Sequence, residues 1–117
     1  MTMTFVWIMV SYSLGMACGQ VLFKLAARSS LQVEGSSGLL AYINIYLLLG
    51  MALYVGLSVL WVWILRSIPL SKAYPFVALA FVFTPLLARL IFDEKLSSGY
   101  FVGLGFVAVG IIVIARY

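Results

Sequence analysis

The sequence predicts an all-α integral membrane protein, folded as a bundle of four transmembrane helices. Of its 117 residues, 66% are hydrophobic and only 9% are charged, and the mean hydropathy is +1.22. Soluble domains carry about 25% charged residues, so this composition cannot cover a surface that faces water. Because a spanning helix needs roughly 20 apolar residues, a chain of this length has room for four spans and for no soluble domain.

Polar and turn-forming segments divide the chain into four apolar stretches, which we expect to form one transmembrane domain over residues 1–117. A loop rich in serine and glycine covers residues 29–38, and shorter connections follow at residues 66–69 and 93–95. No Lys or Arg precedes the first stretch, as it would in a cleaved signal peptide, so we expect this stretch to remain as a span. The predicted helices are residues 4–27, 39–65, 70–92 and 97–115.

The composition also argues against several classes of function. The chain contains no His and a single cysteine, Cys18, which leaves neither an internal disulfide nor a transition-metal site, and we expect no cofactor. The net charge of +4 is spread over helix ends and forms no basic cluster. We therefore expect these cations to meet lipid headgroups and not nucleic acid.

The cationic residues do not define an orientation in the membrane, although they normally collect on the cytoplasmic side. The side that holds both termini and the second loop carries three cations, Arg66, Lys72 and Arg116. The opposite side carries four, which are Lys24, Arg28, Arg89 and Lys95. Two explanations stay open. The chain inserts in both orientations and forms an antiparallel dimer, or a partner protein fixes its orientation.

The charges inside the predicted spans are cationic. No Asp or Glu lies inside a span, whereas a proton-coupled exporter of cations usually needs a buried carboxylate that exchanges a proton for the substrate. Lys24 and Arg89 lie about one turn before the ends of helices 1 and 3, which run in the same direction, so both lie at similar depth. Gln20 shares a helix face with Lys24. If the two faces meet, these side chains form a site for an anion such as phosphate.

A second interpretation of the same residues is purely structural. Long cationic side chains near helix ends commonly extend to the headgroup region and bind nothing. Asp93 and Glu94, on the same side of the membrane, would then neutralise Lys24 and Arg89. Gln20 would be a packing contact, since polar amides often join membrane helices.

Helices 3 and 4 carry residues that change helix shape or packing. Pro85 lies well inside helix 3, where it removes a backbone hydrogen bond, so we expect a kink there. In helix 4, Gly99 and Gly103 form a small-xxx-small pair, and Gly103 and Gly110 lie two turns apart on one face. Such glycines allow close packing between membrane helices, so we expect them to form a dimer interface.

Three segments resemble the small multidrug resistance family and the wider drug/metabolite transporter superfamily, over nearly the whole chain. They are Gly-Gln-Val-Leu-Phe-Lys at residues 19–24, Ile-Pro-Leu-Ser-Lys-Ala-Tyr-Pro at residues 68–75, and Asp-Glu-Lys-Leu at residues 93–96. The resemblance implies a small multidrug resistance-like bundle, and the spacing of Gly103 and Gly110 resembles the dimerisation motif of that family.

Two departures count against the family's proton-coupled export of cationic drugs. Its exporters carry a glutamate in the middle of helix 1, and Met16 stands at that position here. Their helix 3 has a tryptophan and a Gly-x-Gly hinge after the tyrosine, whereas Tyr74 is followed here by Pro75, Val77 and the run 79–81, Leu-Ala-Phe. Fold and chain length therefore carry over from the resemblance, and the export mechanism does not.

The Gly-Gln-x-x-x-Lys and Ala-Tyr-Pro elements are more similar to the four-helix subunits proposed to flip aminoarabinose linked to undecaprenyl phosphate in the bacterial inner membrane. The resemblance implies a flippase and not an enzyme, a polyprenyl-phosphate-linked sugar as substrate, and a role in lipopolysaccharide modification. It implies a homodimer or a heterodimer with a similar small subunit. The resemblance implies that Lys24 and Arg89 bind the phosphate. Gln20 and Tyr74 would contact the phosphate or the sugar. Asp93 and Glu94 would contact sugar hydroxyls or an amine.

Two other functions stay open from the sequence alone. One is a cation/proton antiporter of the small multidrug resistance type, which would bind a hydrophobic cation in a pH-dependent way. The other is a non-transporting membrane subunit that orients or stabilises a glycosyltransferase or a transporter. Such a subunit would show activity only together with its partner.

Overall fold

The computed structural model describes residues 3–31, 40 and 42–117, and the long regular elements within these ranges are helices. They are α1 (Met3–Leu31), α2 (Ile45–Leu65), α3 (Leu70–Val77), α4 (Ala80–Phe92) and α5 (Ser98–Arg116). Since α3 and α4 together make one span, Leu70–Phe92, the described chain has four segments long and apolar enough to cross a membrane. The predicted fold class, an all-α bundle of four transmembrane helices, is confirmed.

The first helix is longer than the sequence predicted. It continues through Leu31, whereas the predicted end was residue 27. The Ser30 hydroxyl donates to the Ala27 carbonyl at 2.7 Å, so the polar residues that suggested a loop are accommodated inside the last turns. Much of the predicted loop at residues 29–38 lies outside the described residues.

The second helix begins at Ile45, and the predicted start at residue 39 lies outside the described residues. Asn44 is the N-cap, with an extended backbone (φ −150°) and a side-chain oxygen that accepts from the Leu47 N–H at 3.0 Å. Asparagine is among the best N-cap residues because its side chain satisfies a free N–H of the first turn. Its amide nitrogen also donates to the Ala26 carbonyl at 3.0 Å, which ties the start of α2 to α1.

The third span is interrupted between α3 and α4. Across Ala78 and Leu79 the hydrogen bonds tighten to three-residue spacing, with the Ala78 N–H on the Pro75 carbonyl and the Leu79 N–H on the Phe76 carbonyl, both at 3.1 Å. Pro75 and Pro85 both lack an N–H, which weakens the helical ladder on either side of this turn. Pro85 itself lies inside α4, which is continuous, and the kink expected there stays a prediction.

A buried serine joins α1 to this interruption. The Ser13 hydroxyl lies 3.0 Å from the Met9 carbonyl and also in hydrogen-bond contact with the Phe76 carbonyl, at the end of α3. Ser13 is fully buried, so its hydroxyl needs one of these acceptors. It is therefore a polar contact between the first span and the tight turn of the third.

The bundle is flattened, measuring 53 × 37 × 19 Å, with α1 at its centre. α1 packs against α2 and also against α3 and α4. In the main helix–helix contacts, α5 packs only against α3 and α4. Only Ile111 of α5 is buried. The main apolar core therefore joins the first three spans: Met9, Tyr12, Leu57, Ile64, Ile68, Ala73 and Phe76.

Two glycines allow α1 and α2 to approach closely. A side chain on Gly19 would overlap the Tyr54 ring, and a Cβ on Gly50 would lie 2.8 Å from the Phe23 ring. The Phe23 and Tyr54 rings stack on each other with centroids 5.3 Å apart. This packing holds Tyr54 in a fixed position beside the middle of α1.

Candidate functional site

A cavity of about 430 Å³ lies between the helices and is lined by residues from all four spans. Its volume falls within the range of sites that hold small molecules, about 300–1,000 Å³. We call it the neutral cavity because none of the residues that line it carries a charge: Met16, Gln20, Tyr54, Tyr74, Val77, Ala80, Phe81, Thr84, Pro85 and Tyr100.

The neutral cavity lies near the middle of the membrane-spanning region. Met16 and Gln20 are close to the midpoint of α1, and Tyr54 is at the midpoint of α2. A polar group at this depth is far from water on either side, so each one that lacks a partner is costly. Gln20 and the Tyr54 hydroxyl are therefore unusual features of the spans, and they make the cavity a candidate binding site.

A hydrogen-bonded chain fixes two of these polar groups. The Tyr54 hydroxyl donates to the Met16 carbonyl at 3.1 Å and accepts from the Gln20 amide nitrogen at 2.7 Å. With the Tyr54 ring also held by Phe23 and Gly19, Gln20 has a preferred orientation at the cavity wall.

The neutral cavity is open on one side. Tyr74 and Phe81 both line it and are 62% and 69% exposed, so they form the edges of its opening. The Tyr74 ring meets the Trp61 ring edge-on, with centroids 6.4 Å apart. Because these exposed side chains belong to membrane spans, a single subunit presents the cavity laterally, toward lipid or a neighbouring subunit.

The cations predicted to bind an anion lie one helical turn from this cavity, on the side of the α1 C-terminus. Lys24 follows Gln20 by four residues and is exposed, and Arg89 follows Pro85 by four residues on α4. Four residues advance a helix by about 6 Å, so each cation lies about one turn beyond a residue that lines the cavity and does not line it itself. The Arg89 guanidinium lies 5.5 Å from the centre of the Phe101 ring, a cation–π contact with α5.

A third cation, which the site prediction omitted, lies at the same end of the bundle. The Arg28 guanidinium is 5.5 Å from the centre of the Phe92 ring and so joins the end of α1 to the end of α4. This contact places the ends of α1 and α4 next to each other. From the sequence alone Arg28 was one of four cations on its side of the membrane, because its contact with Phe92 depends on how α1 and α4 pack.

The two predicted carboxylates stand at the end of α4 and do not line the cavity. Asp93 has a left-handed backbone (φ 54°, ψ 34°), and its N–H bonds the Ala88 carbonyl, as at a helix C-terminus. The Glu94 N–H lies 3.4 Å from the same carbonyl. Asp93 therefore has a structural role as the helix cap, and the substrate contacts expected of Asp93 and Glu94 stay predictions.

The predicted site is thus only partly assembled around one space. Gln20, Tyr74 and Pro85 line the neutral cavity, while Lys24 and Arg89 lie one helical turn beyond lining residues. The sequence reasoning missed further lining residues on three spans: Tyr54, Thr84 and Tyr100. Within the described ranges, no group of three or more Cys, Asp and Glu side chains is placed to hold a metal ion.

The glycines predicted to form a dimer interface face away from the subunit's own helices. A Cβ on Gly103 or Gly110 would meet nothing within 4 Å, and one on Gly99 would meet only the Ser97 hydroxyl, at 3.9 Å. This surface of α5 is available to another helix, and its role in dimerisation stays a prediction.

Known proteins similar to this chain are described as membrane flippase subunits. The chain is 34% identical over 110 residues to a probable 4-amino-4-deoxy-L-arabinose-phosphoundecaprenol flippase subunit ArnE of Klebsiella pneumoniae (strain 342), covering 93% of this chain and 95% of the relative. It is 38% identical over 73 residues to the corresponding ArnE of Escherichia coli O81 (strain ED1a), covering 61% and 66% of the two chains. A probable flippase subunit ArnF of Proteus mirabilis (strain HI4320) is 39% identical over 69 residues, covering 57% of this chain and 52% of the relative.

No protein-family model matches the chain, and no solved structure matches it. The match to the Klebsiella protein nevertheless extends over almost the full length of both chains. The resemblance noted in the sequence is confirmed, and with it a transport class instead of an enzyme class. The chain belongs to the ArnE/ArnF family of small, four-helix membrane flippase subunits.

Proposed function

We propose that this protein is a subunit of a flippase that moves a polyprenyl-phosphate-linked sugar between the leaflets of the bacterial inner membrane. The observation that carries the proposal is the 34% identity to a relative named for 4-amino-4-deoxy-L-arabinose-phosphoundecaprenol, over 93% of this chain. Helical spans agree with an inner-membrane location, because proteins of the bacterial outer membrane span it as β-barrels. The reaction changes only the position of the lipid and breaks no covalent bond.

The physical problem for such a flippase is the headgroup. An ionised phosphate cannot cross hydrocarbon without a polar pathway, whereas the prenyl tail is soluble in the bilayer throughout. The lateral opening of the neutral cavity, between Tyr74 and Phe81, supports a pathway in which only the headgroup enters the protein. The tail remains in lipid while the headgroup moves along the open side of the bundle.

Lys24 and Arg89 are the phosphate ligands in this proposal. Arginine can hold two phosphate oxygens through its planar guanidinium, and lysine adds a mobile positive charge. The Phe101 ring, 5.5 Å from the Arg89 guanidinium, limits the directions that this side chain can take. Both cations lie about one helical turn beyond the cavity, closer to one membrane surface. This position supports binding of the phosphate near that surface while the rest of the headgroup extends toward the cavity.

The second subunit in this proposal is a small protein of the same fold, bound through α5. The names of the relatives describe two kinds of subunit, ArnE and ArnF, and this chain is similar to both. Gly103 and Gly110, which face no atom of their own subunit, give α5 a surface that another helix can approach closely. An antiparallel arrangement would place one pair of cations near each leaflet, so that the headgroup passes from one to the other.

An antiporter of hydrophobic cations is the weaker candidate. Met16, at the position of the exporters' glutamate, lines the neutral cavity, and its thioether can neither bind a cation through charge nor exchange a proton. No observation specifically favours a non-transporting subunit.

The proposal can be tested by reconstituting the chain, alone and with a second small subunit, in liposomes that contain the lipid-linked sugar in one leaflet. Lys24→Ala and Arg89→Ala are each expected to slow transfer by about tenfold or more, since each removes a charge-assisted phosphate contact. The double variant is expected to fall to the protein-free rate.

Arg66→Ala is the matched control, because it removes a cation from the opposite end of the bundle. It is expected to transfer the lipid at the wild-type rate. Unchanged transfer in the Lys24→Ala, Arg89→Ala double variant would contradict phosphate binding at these residues. A wild-type rate equal to that of empty liposomes, with the second subunit present, would contradict the flippase function itself.

A further inference from the structure

We infer that the neutral cavity holds the sugar ring of the lipid-linked substrate and excludes its phosphate. The inference rests on the proposed function, because it divides one headgroup between two adjoining parts of the same site. Lys24 and Arg89 bind the charged part, and the neutral cavity binds the hydroxyl-bearing ring.

The first reason is the chemistry of the cavity wall. Gln20, Thr84, Tyr74 and Tyr100 bring one amide and three hydroxyl groups to it, and the lining contains no cation. An anionic phosphate moved into this space would lose its hydration without gaining an opposite charge, which is far more costly than the transfer of hydroxyls that find hydrogen bonds. The cavity therefore favours an uncharged polar group over the phosphate.

The second reason is the orientation of Gln20. The Tyr54 hydroxyl has a single proton, which it donates to the Met16 carbonyl at 3.1 Å, so it can only accept from the Gln20 side chain at 2.7 Å. In this arrangement the amide nitrogen of Gln20 faces Tyr54. Its carbonyl oxygen Oε1 is then directed elsewhere, ready to accept a proton, and a preoriented acceptor binds a ligand hydroxyl at a lower entropic cost.

The third reason is the mixture of polar and aromatic surfaces. A sugar ring has hydroxyls around its edge and carbon-bound hydrogens on its faces, so it needs polar groups and flat apolar surfaces together. The rings of Tyr54, Tyr74 and Tyr100 offer both, since each combines an apolar face with a polar end.

The fourth reason is the distance between the two parts of the site. Lys24 follows Gln20 by four residues and Arg89 follows Pro85 by four, so along both helices the cations lie about 6 Å from cavity-lining residues. In a sugar phosphate the ring is attached directly to the phosphate. A phosphate held by the cations therefore places its own sugar ring at the mouth of the neutral cavity.

The test compares equilibrium binding of two probes to the detergent-solubilised protein, or to its complex with the second subunit. The probes are undecaprenyl phosphate carrying L-arabinose, an uncharged pentose, and undecaprenyl phosphate without a sugar. The wild-type protein is expected to bind the first about tenfold more tightly. Gln20→Leu and Thr84→Val are each expected to weaken binding of the first probe about 3- to 10-fold and to leave the second unchanged.

Tyr46→Phe is the control, because it removes a hydroxyl from α2 outside the neutral cavity. It is expected to alter binding of neither probe. Equal affinity of the wild-type protein for both probes would overturn the sugar site while leaving phosphate recognition intact, and so would variants that weaken both probes equally. Binding of neither probe would instead overturn the proposed function. The wild-type comparison decides the question even if a variant fails to fold.

Discussion

Glycines occur on two helical surfaces of this protein, the contact between α1 and α2 and the outer side of α5, and the two surfaces differ in what faces them. At the first, Gly19 and Gly50 lie directly against the rings of Tyr54 and Phe23. At the second, Gly103 and Gly110 face no atom of the subunit within 4 Å. Glycine therefore allows close packing within the subunit between α1 and α2, whereas on α5 it leaves a helix face that no other part of the subunit contacts.

This difference separates folding from assembly. The α1–α2 contact positions Tyr54, which orients Gln20, so the glycines there support the neutral cavity within one subunit. The open face of α5 contributes nothing to that packing. Substitutions at the first surface should alter stability and the cavity together, and substitutions at the second should alter association alone.

The largest effect on stability is expected from Gly19→Ala. Its new Cβ would overlap the Tyr54 ring, and overpacking of this kind typically costs about 1–3 kcal/mol. The free energy of unfolding, measured by titration from a mild detergent into a denaturing one, should fall accordingly. Because Tyr54 must move, binding of the sugar-bearing lipid should weaken as well.

Gly56→Ala on α2 is the control for this prediction. A Cβ there would meet nothing within 4 Å, so the expected change is neutral or a gain of up to about 1 kcal/mol from better helix propensity. If Gly19→Ala and Gly56→Ala had the same effect, the close contact between Gly19 and Tyr54 would not stabilise the subunit.

A smaller effect, confined to association, is expected from Gly103→Leu. The added side chain would prevent a second helix from approaching α5 closely, so the dissociation constant of the subunit pair in lipid should rise about tenfold or more. The unfolding free energy of the subunit should be unchanged. Förster resonance energy transfer between labelled subunits, measured as the lipid-to-protein ratio increases, would give the dissociation constants of the wild-type and variant pairs.

Gly105→Leu is the matched control on the same helix. Gly105 also faces open space, but it points about 200° away from Gly103 around the helix, whereas Gly110 returns to the face of Gly103. Association should therefore survive the change at Gly105. Equal loss of association in both variants would show that the glycine face does not define the interface.

The smallest effect is expected from Asp93→Gly, which tests a third use of glycine, its conformational freedom. Asp93 has a left-handed backbone with φ 54°, a conformation that glycine adopts at little cost. The unfolding free energy should rise by no more than about 1 kcal/mol, while Asp93→Ala should lower it by a similar amount. Reduced lipid transfer in both variants, irrespective of stability, would identify the carboxylate as a substrate ligand.

The helical architecture could be predicted from the sequence because a membrane span imposes one simple requirement, a long run of apolar residues. The helix ends were less predictable, since they depend on single hydrogen bonds. Asn44 starts α2 through its contact with the Leu47 N–H, and the interruption at Ala78 depends on three-residue hydrogen bonds that hydropathy does not reveal.

The candidate site was predictable only where its residues are close in the sequence. Gln20 was identified by its spacing from Lys24, and it does line the neutral cavity. Tyr54 and Tyr100 could not be identified in this way, because they reach the cavity only through the packing of α2 and α5 around α1 and the third span. Gly19, adjacent to Gln20, was the available signal for Tyr54, since a glycine within a span often marks a close neighbour.

The central claim, that this protein carries a polyprenyl-phosphate-linked sugar with its phosphate on Lys24 and Arg89, is tested most directly by native mass spectrometry. The protein would be extracted in mild detergent with its second subunit and supplied, in separate samples, with the lipid-linked sugar and with tetraphenylphosphonium, a hydrophobic cation. The predicted spectrum contains a pair of small subunits that retains one lipid-linked sugar, and the Lys24→Ala, Arg89→Ala double variant loses this lipid. A protein that retains tetraphenylphosphonium but never the supplied lipid would contradict the claim.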